Sequence, residues 1–239
     1  MTPLPSAGFA FLSTNRVFSS GVVALEGHAF RRITLTNPLP MEAGLQFAAQ
    51  TIQRAGRPPE ALCGCELRMP CRLTREAFSV FNRRYIAALQ DAGFPTLPVN
   101  PAARTNMAPL VDPPAEAVLA AFTFTVPFAG RTRDFLISGK PELATAPDRV
   151  IAPRDSSPTG VQAKADFVFA ALRDTVRELQ VRWSDATAAQ IYTRHPLPWI
   201  DAPPALVTHI PGDPPVLGPE NVPFEFEADV RSITFEETV

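Results

Sequence analysis

Phe135-Leu-Ile-Ser138-Gly139 repeats the pattern of Val17-Phe-Ser-Ser20-Gly21, which lies about 120 residues earlier in the chain. Each motif is followed by an amphipathic helical stripe, formed by Met41, Leu45, Ala48, Ala49 and Ile52 in the first half and by Val168, Leu172, Val176 and Leu179 in the second. A repeat of this length is too long for a solenoid and indicates tandem domains. We therefore predict one domain over residues 1–126 and another over residues 127–239.

The order of the predicted elements favours an α+β fold. The first half is predicted as strand, strand, helix, strand, helix, strand, strand, which makes a mixed sheet with helices packed on one face. In the second half, the prolines after His195 exclude a helix, so this domain lacks the shorter helix. The uncovered sheet face would need a partner sheet, and we therefore expect a homo-oligomer.

Composition excludes several classes of protein. Hydrophobic residues make up 46% of the 239 residues, which is enough for a core, and the net charge of −2 argues against a nucleic-acid partner. No apolar run is long enough to cross a membrane and no signal peptide is recognisable, so a cytoplasmic protein without a membrane partner is expected. Cys63 and Cys65 recur with period two on a predicted buried strand, and we expect no metal site there.

Arg104 is the strongest candidate for a binding residue. It follows the turn Asn100-Pro-Ala-Ala and precedes Thr105 and Asn106, just beyond a predicted helix that contains Asn82. A guanidinium can bind a carboxylate through two parallel hydrogen bonds, which predicts a small carboxylate as ligand. The alternative is an ion pair with Asp112 or Glu116 on the next strand.

The last predicted strand offers acids on one face. Glu225, Glu227 and Asp229 alternate with apolar residues there, and the alternatives are a solvated face or a general base. Our hypothesis is that Glu225 is the base and that it approaches Arg104 across a domain or subunit interface. Neighbouring carboxylates would raise one another's pKa, which suits a base near neutral pH.

These fragments resemble the RidA/YjgF family, also described as endoribonuclease L-PSP-like. The matching pieces are Ser20-Gly21, Phe81-Asn82-Arg-Arg-Tyr85, Pro101-Ala-Ala-Arg104 and Ser138-Gly139. The resemblance implies chorismate-mutase-like domains, trimers, and hydrolysis of enamines or imines derived from amino acids, with 2-aminomuconate deaminases in one branch. It also implies that Arg104 holds the substrate carboxylate, that Asn82 shapes the pocket, and that Ser20-Gly21 lines it. Thr105 and Asn106, which directly follow the arginine, are further candidate binding residues, although Asn106 stands where the family commonly has a cysteine.

Two functions remain open from the sequence. The first is a hydrolytic deaminase of a 2-aminoacrylate or 2-aminomuconate type of substrate, which uses water and needs no cofactor. The second is a non-catalytic protein that binds small carboxylates or keto acids. Ala120 and Ala121 favour this second reading, because they stand where the family often has a glutamate.

Overall fold

The computed structural model describes residues 1–13, 15–96, 98–145, 148–200 and 206–239. The first half contains β1 (Thr2–Leu4), β2 (Phe9–Ser13), β3 (Ser19–Ala24), β4 (His28–Pro40), α1 (Met41–Arg54), β5 (Leu62–Arg68), α2 (Arg75–Asp91), β6 (Ala103–Pro109) and β7 (Val118–Pro127). The second half contains β8 (Phe135–Ile137), β9 (Lys140–Pro141), β10 (Leu143–Thr145), β11 (Asp148–Val150), α3 (Pro158–Glu178), β12 (Ala188–Thr193), β13 (Leu206–Asp213), β14 (Phe226–Ser232) and β15 (Phe235–Thr238).

Local sequence signals place the ends of the helices. The Thr74 hydroxyl accepts a hydrogen bond from the Ala77 amide and caps α2, and Ser157 caps α3 by accepting from the Gly160 amide. Gly93 follows α2 with a φ of 86°, a left-handed conformation that favours glycine and ends the helix there.

The two halves contain the same pattern of strand pairing. In the first half the strands lie in the order β6-β5-β7-β4, with β5 parallel to β6 and antiparallel to β7. In the second half the order is β13-β12-β14-β8, with β12 parallel to β13 and antiparallel to β14. These strands belong to one 13-stranded sheet, which confirms the predicted α+β class with a mixed sheet.

Strands from each half also join the other half. β3 of the first half pairs with β8, and β15, at the end of the chain, pairs with β4. The division into domains at residues 126 and 127 stays a prediction, since the sheet is continuous across it. Among the described residues, α3 is the one α-helix of the second half. The proline-rich stretch 196–204, which was expected to exclude a helix, lies partly outside the described residues.

Three hydrophobic clusters make up the core. One packs α1 and α2 on β4, β5 and β7, and another packs α3 on β12 and β14. Helix α1 lies very close to the sheet, because a Cβ added at Gly44 would be 2.6 Å from the Leu119 Cβ. The third cluster joins Phe9, Phe30 and Cys63 of the first half to Leu136 of the second.

This third cluster bears on one expectation. The sheet face away from the helices was expected to need a partner subunit, yet strands from both halves of one chain cover part of it. These contacts bury part of that face within one chain, and the homo-oligomer and the trimer stay predictions. No helix among the described residues combines the length and the apolar character that crossing a bilayer requires.

Candidate active site

The candidate site lies at an interruption in the pairing of β6. One edge of this strand pairs with β5, whereas the other edge pairs with β3 at Ala103 and with β13 at Ala108 and Pro109. Residues 104–107 have no strand partner on that second edge among the described pairings. The gap lies where the two halves of the chain meet.

The Ser138-Gly139 motif sits beside this gap. The Ser138 hydroxyl accepts a hydrogen bond from the Arg104 amide at 2.9 Å and donates to the Ser19 carbonyl at 2.6 Å. The second copy of the repeated motif therefore positions the strand that carries the arginine of the first half.

Arg104 lies in a cage of aromatic rings. Its guanidinium carbon is 4.7 Å from the ring centroid of Tyr85 and 4.8 Å from that of Phe18, with Phe78 and Phe81 slightly farther away. Such contacts with ring faces stabilise a cation in part. Three of these rings come from α2, so the stripe that packs this helix on the sheet also encloses the guanidinium.

The polar contacts of Arg104 leave one nitrogen free. Nη2 donates to the Asn82 Oδ1 at 2.9 Å, and Nε lies 3.3 Å from the Asn106 side-chain oxygen in the amide orientation that satisfies both groups. Nη1 is buried and has no hydrogen-bond partner among the residues that the structure describes. Neither proposed ion pair forms, because Glu116 instead lies 3.7 Å from Arg84 and Asp112 is exposed.

The buried environment of Arg104 is energetically unfavourable for a cation. The residue is 4% exposed, and burial lowers the pKa of the guanidinium to about 10. An uncompensated buried charge is normally excluded from proteins, since its lost hydration is not replaced. The free nitrogen and the missing counter-ion together make this position suitable for binding an anion. Arg104 does not line any of five principal cavities of the described residues, and two of the rings around it, Phe18 and Phe78, are half-buried.

Glu227 is the acid whose charge acts on Arg104. It lies on β14 and is 5% exposed, and its carboxyl group forms no hydrogen bond or ion pair with the side chain of any described residue. Burial raises its pKa well above the usual range, and the nearby carboxyl groups of Asp229 and Glu142 raise it further. Glu227 is therefore protonated more readily than an ordinary glutamate, and it can act as a proton donor.

Asp229 lies behind Glu227 on the same strand. Its Oδ2 accepts from the Tyr192 hydroxyl at 2.7 Å, and the nearby Thr105 side chain slightly opposes the rise of its pKa. Burial raises the pKa of Asp229 to about 6. Thr105 thus contacts this acid pair rather than Arg104, since neighbouring residues of a strand point to opposite faces. The solvated-face alternative for these acids is wrong, because Glu227 and Asp229 are both buried.

Glu225 does not approach Arg104 as expected. Its carboxylate accepts from the buried Lys164 Nζ at 2.7 Å and lies 3.6 Å from the His195 Nε2. Its amide donates to the Glu142 carboxylate, and β14 begins only at the next residue. The alternation of the strand therefore does not extend to Glu225, and an ion pair occupies its carboxylate. Whether it acts in catalysis stays untested.

Ser20 and Gly21 have different surroundings from those expected. Gly21 faces α3, where an added Cβ would be 3.1 Å from the Leu179 Cδ1. Ser20 accepts a hydrogen bond from the Lys140 Nζ at 2.5 Å. The second copy of the motif is the one beside the candidate site, since Ser138 bonds to the Arg104 amide and Gly139 lies against the Glu227 carboxylate.

Sequence reasoning missed Lys140, Tyr192 and the role of Gly139. A signal for Lys140 was present, since it directly follows the repeated Ser138-Gly139 motif and is one of only two lysines in the chain. No group of three or more His, Cys, Asp or Glu side chains that could hold a metal ion occurs among the described residues.

Comparisons with known proteins agree with this chemistry. A family model described as "2-aminomuconate deaminase CnbZ" matches residues 1–237. A 2-amino-5-chloromuconate deaminase of Comamonas testosteroni is 30% identical over 244 residues, which covers 96% of this chain and 95% of that protein.

Two solved structures are more distant. A chorismatase crystal structure is 10% identical with a TM-score of 0.45, and covers 89% of this chain and 77% of its own. The YjgF gene product of E. coli is 12% identical with a TM-score of 0.28, and covers 42% of this chain and 80% of its own. Both scores are below 0.5, so the description of the fold rests on the elements of this chain alone. The family match extends over nearly the whole sequence and confirms the predicted deaminase, and the chain belongs to the CnbZ family of 2-aminomuconate deaminases.

Proposed function

We propose that this chain hydrolytically deaminates an unsaturated 2-amino acid of the 2-aminomuconate type, and that Arg104 holds a carboxylate of the substrate. The observation that carries this proposal is the free Nη1 of a buried guanidinium with no acidic partner among the described residues. The family match supports the substrate class, since both the family and its Comamonas relative are named for aminomuconates.

Arg104 would bind and orient the substrate. Asn82 and Asn106 hold two of its nitrogens, so the guanidinium is already positioned before the substrate arrives. A carboxylate on Nη1 would also supply the missing counter-ion, and charge-assisted bonds of this kind contribute about 1.5–3 kcal/mol each. Pre-positioning of a charged clamp reduces the ordering cost of binding.

Glu227 would transfer the protons. In its protonated form it can donate a proton to the carbon of the enamine, which converts the enamine into an iminium ion. The resulting carboxylate can then accept a proton from water as the water oxygen attacks the iminium carbon. Collapse of the carbinolamine breaks the carbon–nitrogen bond and releases ammonia, so enamine and water give a 2-oxo acid and ammonia.

The interruption in β6 would connect the two groups. Arg104 points toward α2, and Thr105 points toward Glu227 and Asp229. A substrate in the gap between β6 and Ser138-Gly139 could reach the guanidinium with its carboxylate and Glu227 with its reacting carbon. Each half of the chain would then supply what the other lacks, since Ala120 and Ala121 leave the first half without a glutamate at that position.

We further propose that the two halves are tandem units with the chorismate-mutase-like fold. The shared strand order of β6-β5-β7-β4 and β13-β12-β14-β8 supports a duplication. The second unit has no arginine between Arg194 and Arg231, so we expect one working site per chain.

The test is ammonia release from 2-aminomuconate by the wild-type protein and by Arg104→Met. We expect kcat/KM to fall about 100-fold or more in the variant, which corresponds to about 3 kcal/mol of lost transition-state stabilisation. Arg83→Met is the matched control, since Arg83 is an exposed cation on the same helix as Asn82. Thermal stabilisation by the substrate without ammonia release would instead support the carboxylate-binding protein.

A further inference from the structure

The chain contains only two lysines, Lys140 and Lys164, and their surroundings differ in one respect. Lys164 is fully buried and forms an ion pair with Glu225 at 2.7 Å. Lys140 is half-buried, yet no described carboxylate lies within ion-pair distance of it. Its Nζ contacts the Ser20 hydroxyl, and Glu178 acts on it only from farther away. Lys140 is therefore a second cation that lacks a contacting counter-ion.

The backbone places Lys140 beside the candidate site. Lys140 directly follows Ser138 and Gly139. It lies on β9 and pairs with Ala228 of β14, which is the neighbour of Glu227 in the sequence. Both residues that precede Lys140 contact the candidate site. Ser138 accepts a hydrogen bond from the Arg104 amide, and Gly139 leaves space for the Glu227 carboxylate.

Lys140 and Arg104 also contact the same short stretch of chain. The Phe18 ring lies over the Arg104 guanidinium, and the Ser20 hydroxyl accepts from Lys140. Ser20 is the extra residue at a β-bulge, since Leu12 pairs with Gly21 and Ser13 pairs with Ser19. Bulges re-aim side chains next to functional sites. Two residues of extended chain span roughly 7 Å, so the two contacts are separated by about the length of a small ligand.

We propose that Lys140 binds the second carboxylate of an unsaturated dicarboxylate whose first carboxylate is held by Arg104. This proposal rests on the proposed function and assigns a binding residue to the second carboxylate of a 2-aminomuconate type of substrate. A monocarboxylate would occupy Arg104 alone and would leave Lys140 without a counter-ion. The site would therefore select dicarboxylates over monocarboxylates of the same carbon skeleton, because only the dicarboxylate compensates both cations.

The experiment compares binding of muconate and of hexa-2,4-dienoate by calorimetry, since these ligands share a six-carbon skeleton but differ by one carboxylate. For the wild-type protein we expect muconate to bind at least tenfold more tightly. In Lys140→Met this preference should disappear through weaker binding of muconate, whereas Lys140→Arg should retain a preference. Arg177→Met, which removes an exposed cation beside Glu178, is the control and should bind both ligands as the wild type does.

The outcomes separate this proposal from the proposed function. Unchanged muconate binding in Lys140→Met, or an equal loss for both ligands while melting temperature is retained, would overturn the role of Lys140. Neither result would affect ammonia release from 2-aminomuconate by the wild type. Should Lys140→Met fail to fold, Ser20→Ala gives a second readout, because loss of the hydroxyl that holds Nζ should narrow the preference for muconate.

Discussion

Gly139 makes room for the carboxylate of Glu227. A Cβ added at position 139 would lie 1.9 Å from the Glu227 Oε1 and 3.3 Å from the Thr105 Cγ2. No side chain fits there unless the carboxylate moves. Glycine is thus required at position 139 because of the space taken by Glu227, a buried acid 88 positions farther along the sequence.

Gly139→Ala is expected to displace Glu227 and to lower kcat/KM at least tenfold. The folded protein should persist, because a carboxylate is the flexible end of its side chain. The measurement is a double-mutant cycle with Glu227→Ala. Adding Gly139→Ala to Glu227→Ala should cost little further activity, and strictly additive losses would show that the glycine acts elsewhere.

Glu227→Gln and Glu225→Gln are expected to have different effects. The first removes the proposed proton donor and should lower kcat by about 100-fold or more, within the range for general acid–base groups. The second leaves Lys164 buried without its counter-ion and should mainly reduce the free energy of unfolding. Chemical denaturation and steady-state kinetics on both variants distinguish these roles. If Glu227→Gln kept the full kcat, Glu227 would not be the proton donor, and Glu225 would again be the candidate for that role.

Arg104→Met should not destabilise the fold. Burial of an unpaired guanidinium is unfavourable, and methionine can fill much of the same space between the aromatic rings. Arg32→Met is the contrasting variant, because Arg32 forms two hydrogen bonds with the buried Glu66, and its loss should cost about 3–5 kcal/mol. Equal losses of unfolding free energy in the two variants would mean that Arg104 has a structural partner in the native protein.

Glu142 should make stability depend on pH. Burial raises its pKa from 4.5 to about 7, although it accepts hydrogen bonds from the amides of Glu225 and Phe226. Since the folded state holds this proton more tightly than the unfolded state, stability is lost as pH rises from about 4.5 through about 7. The loss is roughly 1.4 kcal/mol for each pH unit in that window.

Glu142→Gln isolates this contribution, because glutamine keeps an acceptor oxygen and does not ionise. Urea denaturation measures the unfolding free energy of both proteins at each pH. The value for Glu142→Gln minus the value for the wild type should become larger as pH rises from 5 to 8. A difference that is constant across this range would show that Glu142 has the same pKa in the folded and unfolded states.

Local sequence signals predicted much of the fold. The stripes of α1 and α3 and the alternation of β14 are short-range patterns. The helical stripes and the strand alternation are specified by neighbouring residues alone. The family resemblance added that Asn82 and Arg104 belong to one pocket, and the structure shows a hydrogen bond between them, which the sequence analysis did not predict.

The remaining features depend on contacts between distant parts of the chain. Glu225 and Glu227 are equivalent in the alternating sequence pattern. They differ in the structure because Lys164 of α3 forms an ion pair with Glu225. The two Ser-Gly motifs are equally similar to the family, yet Ser138 rather than Ser20 contacts the Arg104 strand. Pairing of β3 with both β6 and β8 creates this difference, and no single-sequence pattern specifies it.

The central claim is that the Arg104 guanidinium receives a carboxylate of the substrate. The most direct measurement is a crystal structure of the wild-type protein with muconate bound. The account predicts a carboxylate oxygen within hydrogen-bond distance of Arg104 Nη1, between the rings of Phe18 and Tyr85. A muconate whose two carboxylates both lie away from an Nη1 that remains without a partner would contradict it.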